Sequence, residues 1–178
     1  MALLSLAACS DPAAKLPDYG EVPAFHMTSS KGHAFDGSEL AGKVWAVDFI
    51  YTNCPAACPM MTSKMQRVEK QIRGEQDVRL VSISVDPARD TPPVLTAFAN
   101  RYGGPTPQWI FLTGAPATVH LLAYTTFHVG DVLGKIEHST KFMLIDKHGH
   151  IRGYYSTFDT EGIPTLLHDI ELLRRSSR

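Results

Sequence analysis

The chain has 178 residues, 44% of them hydrophobic, with 17 basic and 18 acidic side chains and a formal net charge of −1. That is enough apolar material for one domain with a full core, and a balanced charge without a basic block argues against nucleic acid as a partner. No apolar run approaches the ~20 residues of a membrane-spanning helix, and no internal repeat is present.

Three cysteines divide the chain unequally. Cys9 closes an apolar run, and a polar stretch bearing Pro and Ala follows it. Leu6-Ala7-Ala8-Cys9 resembles the lipobox of bacterial lipoproteins, although no Lys or Arg precedes the run where a signal peptide carries its basic region. The resemblance implies cleavage before Cys9, lipid on its sulfur, and a domain held at the extracytoplasmic (periplasmic) face of a bacterial membrane. Dithiols there tend to be oxidised unless they are kept reduced or bound to metal. The expected organisation is a signal-peptide remnant at 1–8, a lipid-anchored flexible linker at 9–21 and a folded domain at 22–176.

In chain order, 24–28 and 34–35 flank a Ser-Ser-Lys-Gly turn and predict a short hairpin. Residues 44–51 are the first strong strand. Residues 59–73 read as a helix, with Met61, Met65, Val68 and Ile72 on one stripe, Pro59 in the first turn and Gly74 at the end. Residues 78–85 alternate and are rich in β-branched side chains, a second core strand. Thr91 and Pro92 open a helix that runs to about 102. A short strand at 109–112, a helix at 115–125, a hairpin of 141–146 and 151–155, and a Leu-faced helix at 162–175 complete the order. Strands alternating with helices predict a mostly parallel sheet covered on both faces, to which the last hairpin adds an antiparallel part.

Cys54-Pro55-Ala56-Ala57-Cys58-Pro59 lies between the first core strand and the first long helix. Ligands gather beyond the carboxyl ends of strands in open α/β sheets, and a helix N-terminus favours the thiolate. Four residues apart on a helical turn, the two Cα atoms would sit roughly 6 Å apart, within reach of a disulfide or of one small ion. A dithiol after the first core strand of such a sheet looks like a thioredoxin-like α/β fold. His138 precedes the strand 141–146, and in thioredoxin-like folds that segment lies against the dithiol loop. Two thiolates and one imidazole suit Cu(I), whereas structural zinc usually takes four protein ligands.

Three segments, Asp48 to Pro59, Val81 to Pro92 with its Asp86-Pro87-Ala88-Arg89-Asp90-Thr91-Pro92 run, and His138 to Asp146, resemble in order and spacing the SCO/SenC family of thioredoxin-like copper proteins. The resemblance covers about 22–174. It implies a copper metallochaperone that binds one copper ion, Cu(I) or also Cu(II), through Cys54, Cys58 and His138. It further implies delivery to the dinuclear site of the copper-bearing subunit of cytochrome c oxidase or to another copper chaperone, or reduction of that site's cysteines. Asp86 and Asp48 are expected beside the ligands: Asp86 orients a ligand or a loop, and Asp48, buried in its strand, accepts a thiol proton.

The alternative is an extracytoplasmic thiol–disulfide oxidoreductase using Cys54 and Cys58 as its redox pair without His138. Ser139, standing where reductases usually carry a proline, and the added imidazole favour the chaperone over the enzyme. A peroxiredoxin-like activity is weaker still, since Tyr51 takes the place of its Thr. Met61 and Met65 read as core rather than thioether ligands, Met60 as a partner-facing contact, and Pro164 as the opening of the last helix. Arg89 and Asp90 read as an ion pair or cap, and His148 and His150 as a solvated hairpin.

Overall fold

The computed structural model describes residues 15–129 and 140–176. Seven strands form one sheet: β1 (His26–Ser29), β2 (Ala34–Asp36), β3 (Val44–Ile50), β4 (Val78–Ser84), β5 (Trp109–Thr113), β6 (Lys141–Ile145) and β7 (Ile151–Ser156), in the spatial order β2-β1-β5-β4-β3-β6-β7. β3, β4 and β5 are parallel; β1 joins β5, and β6 joins β3, antiparallel. The helices are α1 (Ala57–Gln71), α2 (Pro92–Asn100), α3 (Pro116–His120) and α4 (Gly162–Arg175). The architecture is α/β, as the alternation of strands and helices predicts, but the sheet is not mostly parallel: only β3–β4 and β4–β5 pair in parallel, because the N-terminal hairpin β1–β2 adds antiparallel strands at the β5 edge as β6–β7 does beside β3.

All seven residues of β3 are buried, as befits a central parallel strand covered on both faces. Side chains alternate across it. Ala46 and Ile50 meet Met61, Met65 and Val68 of α1 and Leu166, Ile170 and Leu173 of α4. Trp45, Val47 and Phe49 meet Val119 of α3, Leu122 and Phe127 on the opposite face. Asp48 therefore points to the α1 side, a carboxylate in an otherwise apolar row.

Two local departures from the expected elements have simple causes. The first long helix starts at Ala57 rather than 59, so Cys58 lies inside its first turn. The helix expected over 115–125 is α-helical only to His120; Leu121–Thr126 then widens to π-type turns, with the Phe127 amide bonding Leu122 O at 2.9 Å.

The end of the stretch expected to be linker, residues 16–21, lies along the start of β7 together with Val22, the first residue of the expected domain. The Tyr19 amide donates to Ile151 O and the Ile151 amide to Gly20 O, both at 2.9 Å. Arg152 donates to the carbonyls of Leu16 and Pro17, and His150 pairs with Asp18 at 3.0 Å.

Candidate functional site

Between the end of β3 at Ile50 and the start of α1 at Ala57 runs the loop Tyr51-Thr52-Asn53-Cys54-Pro55-Ala56. Ala56 stands at the N-cap of α1 and offers no side-chain acceptor, so the first-turn amides need another partner. The Cys54 sulfur supplies it. The Cys58 amide donates to Cys54 Sγ at 3.3 Å, and the Ala56 amide, the Cys58 thiol and the Tyr51 hydroxyl favour the charged form of this sulfur. Neither cysteine is in a disulfide.

The two sulfurs are chemically unequal. Cys54 is 6% exposed and Cys58 0%. Desolvation works against the Cys54 thiolate, but the amides of Cys58 and Ala56, the Cys58 thiol and the Tyr51 hydroxyl outweigh it, and the pKa is lowered. Burial pushes the Cys58 thiol up to about 12; a backbone hydrogen bond from Tyr51 opposes the rise, and the nearby Cys54 and Asp48 charges add to it. The pair is thus a reachable sulfur poised to ionise above a buried one that keeps its proton.

Asp48 lies on the same side of the sheet as this dithiol. It is fully buried, neither carboxylate oxygen has a hydrogen-bond partner, and burial raises its pKa to about 7. The nearby hydroxyl of Ser82, its register partner on β4, lowers it only in part; that hydroxyl accepts from Trp109 Nε1 at 3.0 Å and keeps its own proton to offer the carboxylate. Asp86 is placed differently. Its carboxylate pairs with Arg89 at 3.2 Å, and its carbonyl accepts the Arg89 and Asp90 amides in the turn before α2.

The carboxylate that grips the dithiol loop is Asp90. It is fully buried. Its Oδ2 accepts the Thr52 amide at 3.1 Å and the Ser84 hydroxyl at 2.6 Å, and its Oδ1 accepts the Thr52 hydroxyl at 2.6 Å. Asp90, Thr52 and Ser84, with the Tyr51 hydroxyl on Cys54, are the site residues that sequence reading missed. Two serines in a buried strand, Ser82 and Ser84, were the only local signal of a polar partner across the sheet.

His138 and Cys9 lie outside the described residues. Among the described residues no cluster of three His, Cys, Asp or Glu could hold a metal ion. Thr140 stands just before β6, which runs antiparallel to β3 and so begins at the dithiol end of the sheet. There Thr140 O accepts from the Thr157 amide and hydroxyl at 2.8 and 2.7 Å, and Lys64 of α1 donates to Thr157 O. Met61 and Met65 are fully buried core residues, and Met60 is half-buried.

The sequence model of the SCO1/SenC family matches residues 14–173. The fold is similar to a SCO1/SenC family lipoprotein from Bacillus anthracis str. Ames, at 32% identity over 87% of this chain and 95% of that one, with a TM-score of 0.78. It is similar to BsSco, a member of the Sco family of cytochrome c oxidase assembly proteins with a disulfide switch, at 30% identity over 90% and 96% of the two chains, TM-score 0.77. Bradyrhizobium japonicum ScoI with copper bound shares the fold at 23% identity over 86% and 99%, TM-score 0.71.

Proposed function

The chain belongs to the SCO1/SenC family, and on that premise we propose that it is a copper metallochaperone serving the assembly of cytochrome c oxidase. One copper ion is held by Cys54, Cys58 and His138 and passed to the dinuclear site of the copper-bearing subunit, or to another copper chaperone. The observation that carries this reading is the pair of free thiols at the start of α1, with Cys54 Sγ already held by the Cys58 amide at 3.3 Å.

The residues present fit soft-metal cargo. Thiolates and an imidazole suit Cu(I), and a ligand thiol must give up its proton as the metal enters. Cys54 is disposed to ionise and is the sulfur that incoming copper meets first. Cys58 then loses its proton under the charge of the ion. His138, two residues before Thr140 in the sequence, supplies the third donor. Cys9 carries the lipid that tethers the domain on the extracytoplasmic side, a placement supported by likeness to a family lipoprotein. Among the described residues no helix is long and apolar enough to cross a membrane. Asp86 serves the turn before α2 and so acts on the site through the loop.

A second reading, thiol–disulfide exchange by Cys54 and Cys58, is favoured by Asp48, an unpartnered buried carboxylate near Cys58 that could take a thiol proton. The deciding experiment is anaerobic competition for Cu(I) between the reduced chain and a chromogenic chelator. Loss of a neighbour that merely orients a ligand lowers affinity about 10–100-fold, so His138→Ala, which removes a ligand itself, is expected to weaken one-to-one binding by about a hundredfold or more. Weak binding by the unaltered chain, or binding indifferent to His138, would overturn the site and leave the exchange reading.

A further inference from the structure

A buried carboxylate is a costly thing to place under a loop unless its oxygens are fully engaged. Asp90 is engaged on both, and its partners are informative. Of its three bonds, two go to Thr52, one to the amide and one to the hydroxyl, across 38 residues of chain. The third goes to Ser84 at the end of β4. Ser84 Oγ in turn accepts the Asp86 amide at 3.1 Å, and the Asp90 amide donates to Asp86 O at 2.8 Å. Asp90 is therefore fixed by the last residues of β4 and by the start of α2, and it transmits that fixed position to Thr52.

Thr52 sits two residues before Cys54. Apart from the bonds made by the sulfur itself, the backbone tie of the loop between Thr52 and α1 among the described residues is the Cys54 amide to Tyr51 O at a long 3.3 Å. The direction of the Cys54 side chain thus depends on where Thr52 is held. Hydrogen bonds to a carboxylate are short and roughly twice as strong as neutral ones, and sites that bind metal tightly keep their ligands oriented by such supporting contacts.

We propose that Asp90 is a positioning residue for the dithiol: by clasping Thr52 through amide and hydroxyl together, it aims Cys54 Sγ at the Cys58 amide and holds both sulfurs ready for a single soft ion. The metal part of this statement rests on the copper reading above; the aiming of Cys54 does not.

Asn at position 90 keeps the shape but replaces one acceptor oxygen with an NH2 group facing donors. Asp90→Asn is therefore expected to speed hydrogen exchange of the Cys58 amide at least about tenfold in the reduced, metal-free chain, while the Leu80 amide in the central ladder keeps its protection. Cu(I) affinity of the same variant falls about 10–100-fold. Thr52→Val, which removes only the hydroxyl, speeds Cys58 exchange and weakens Cu(I) binding by smaller factors, and Thr52→Ser, which keeps it, leaves both as in the unaltered chain. A role in global stability alone would change Leu80 and Cys58 exchange together and would not separate Val from Ser at position 52 in copper affinity.

Unchanged Cys58 exchange in a folded Asp90→Asn chain overturns the proposal, whether or not copper binds. If Asp90→Asn does not fold, the Thr52 pair decides, and equal Cys58 exchange in Thr52→Val and Thr52→Ser overturns it. Failure of the unaltered chain to bind Cu(I), with Cys58 exchange still responding to Asp90, defeats the copper reading and leaves the positioning role supported.

Discussion

Replacing Asp48 by Asn tests the electrostatics beneath the dithiol without touching a sulfur. In the folded chain this carboxyl titrates at about 7, against 3.8 for an ordinary one. It therefore binds its proton more tightly folded than unfolded, and the stability it contributes is fully present below about pH 4 and lost as pH rises through about 7. At about 1.36 kcal/mol per pH unit, the loss reaches roughly 4 kcal/mol at neutral pH and above. Roughly 2.5 kcal/mol of it falls between about pH 5 and pH 8. Asn has no charge to desolvate; its unpartnered amide carries a penalty, but one that does not change with pH. The measurement is urea unfolding of the reduced, metal-free chain at several pH values, for the unaltered protein and Asp48→Asn. The difference in unfolding free energy between them should move by roughly 2.5 kcal/mol in favour of the variant from about pH 5 to pH 8. A difference that stays flat across this range, or moves the other way, would refute the claim that Asp48 is held buried and unpartnered.

Two further outcomes follow from the same structure. Iodoacetamide at neutral pH should modify Cys54 at least about tenfold faster than Cys58, because Cys54 is the reachable, ionisable sulfur and Cys58 keeps its proton to about pH 12; peptide mapping that finds equal rates would contradict this. Gly162→Ala should lower stability by at least about 3 kcal/mol, since a Cβ there would lie 2.0 Å from the backbone oxygen of Ser156. A thermal midpoint within a few degrees of the unaltered chain, rather than roughly 10 °C lower, would show that the start of α4 can move away from β7.

The order of strands and helices is legible in the sequence because β3 is an apolar run broken only by Asp48, because β4 alternates with β-branched residues, and because Gly74 and the 103–107 break stand between elements. Residues that act locally read well: Thr91 and Pro92 open α2, Met61 and Met65 face the core, and Cys54 and Cys58 meet at a helix start. What was not legible depends on contacts distant in sequence or on unusual capping. Asp90 carries the pattern of a helix cap, and nothing near it in the chain reveals that its oxygens reach back to Thr52. The start of α1 was misplaced by two residues because Ala56 and Ala57 bear no start signal; a sulfur replaces the usual oxygen cap. The docking of residues 16–22 depends on Arg152 and His150, more than 130 positions away. A polar composition alone does not distinguish such a segment from a free tether.

That docked segment has a consequence for how the molecule behaves among its own copies. A seven-stranded sheet with open ends offers unpaired amides and carbonyls on its two outermost strands, and such strands invite pairing with a neighbouring chain. On one side β2 is only three residues long and turns directly into a capped 3-10 turn, Gly37–Leu40. On the other, the amide of Tyr19 and the carbonyl of Gly20 pair with Ile151, the first residue of the outermost strand, and the Val22 amide bonds Gly149 O in the turn before it. The chain leading into the domain thus closes the first residue of that outermost strand to pairing with a neighbour.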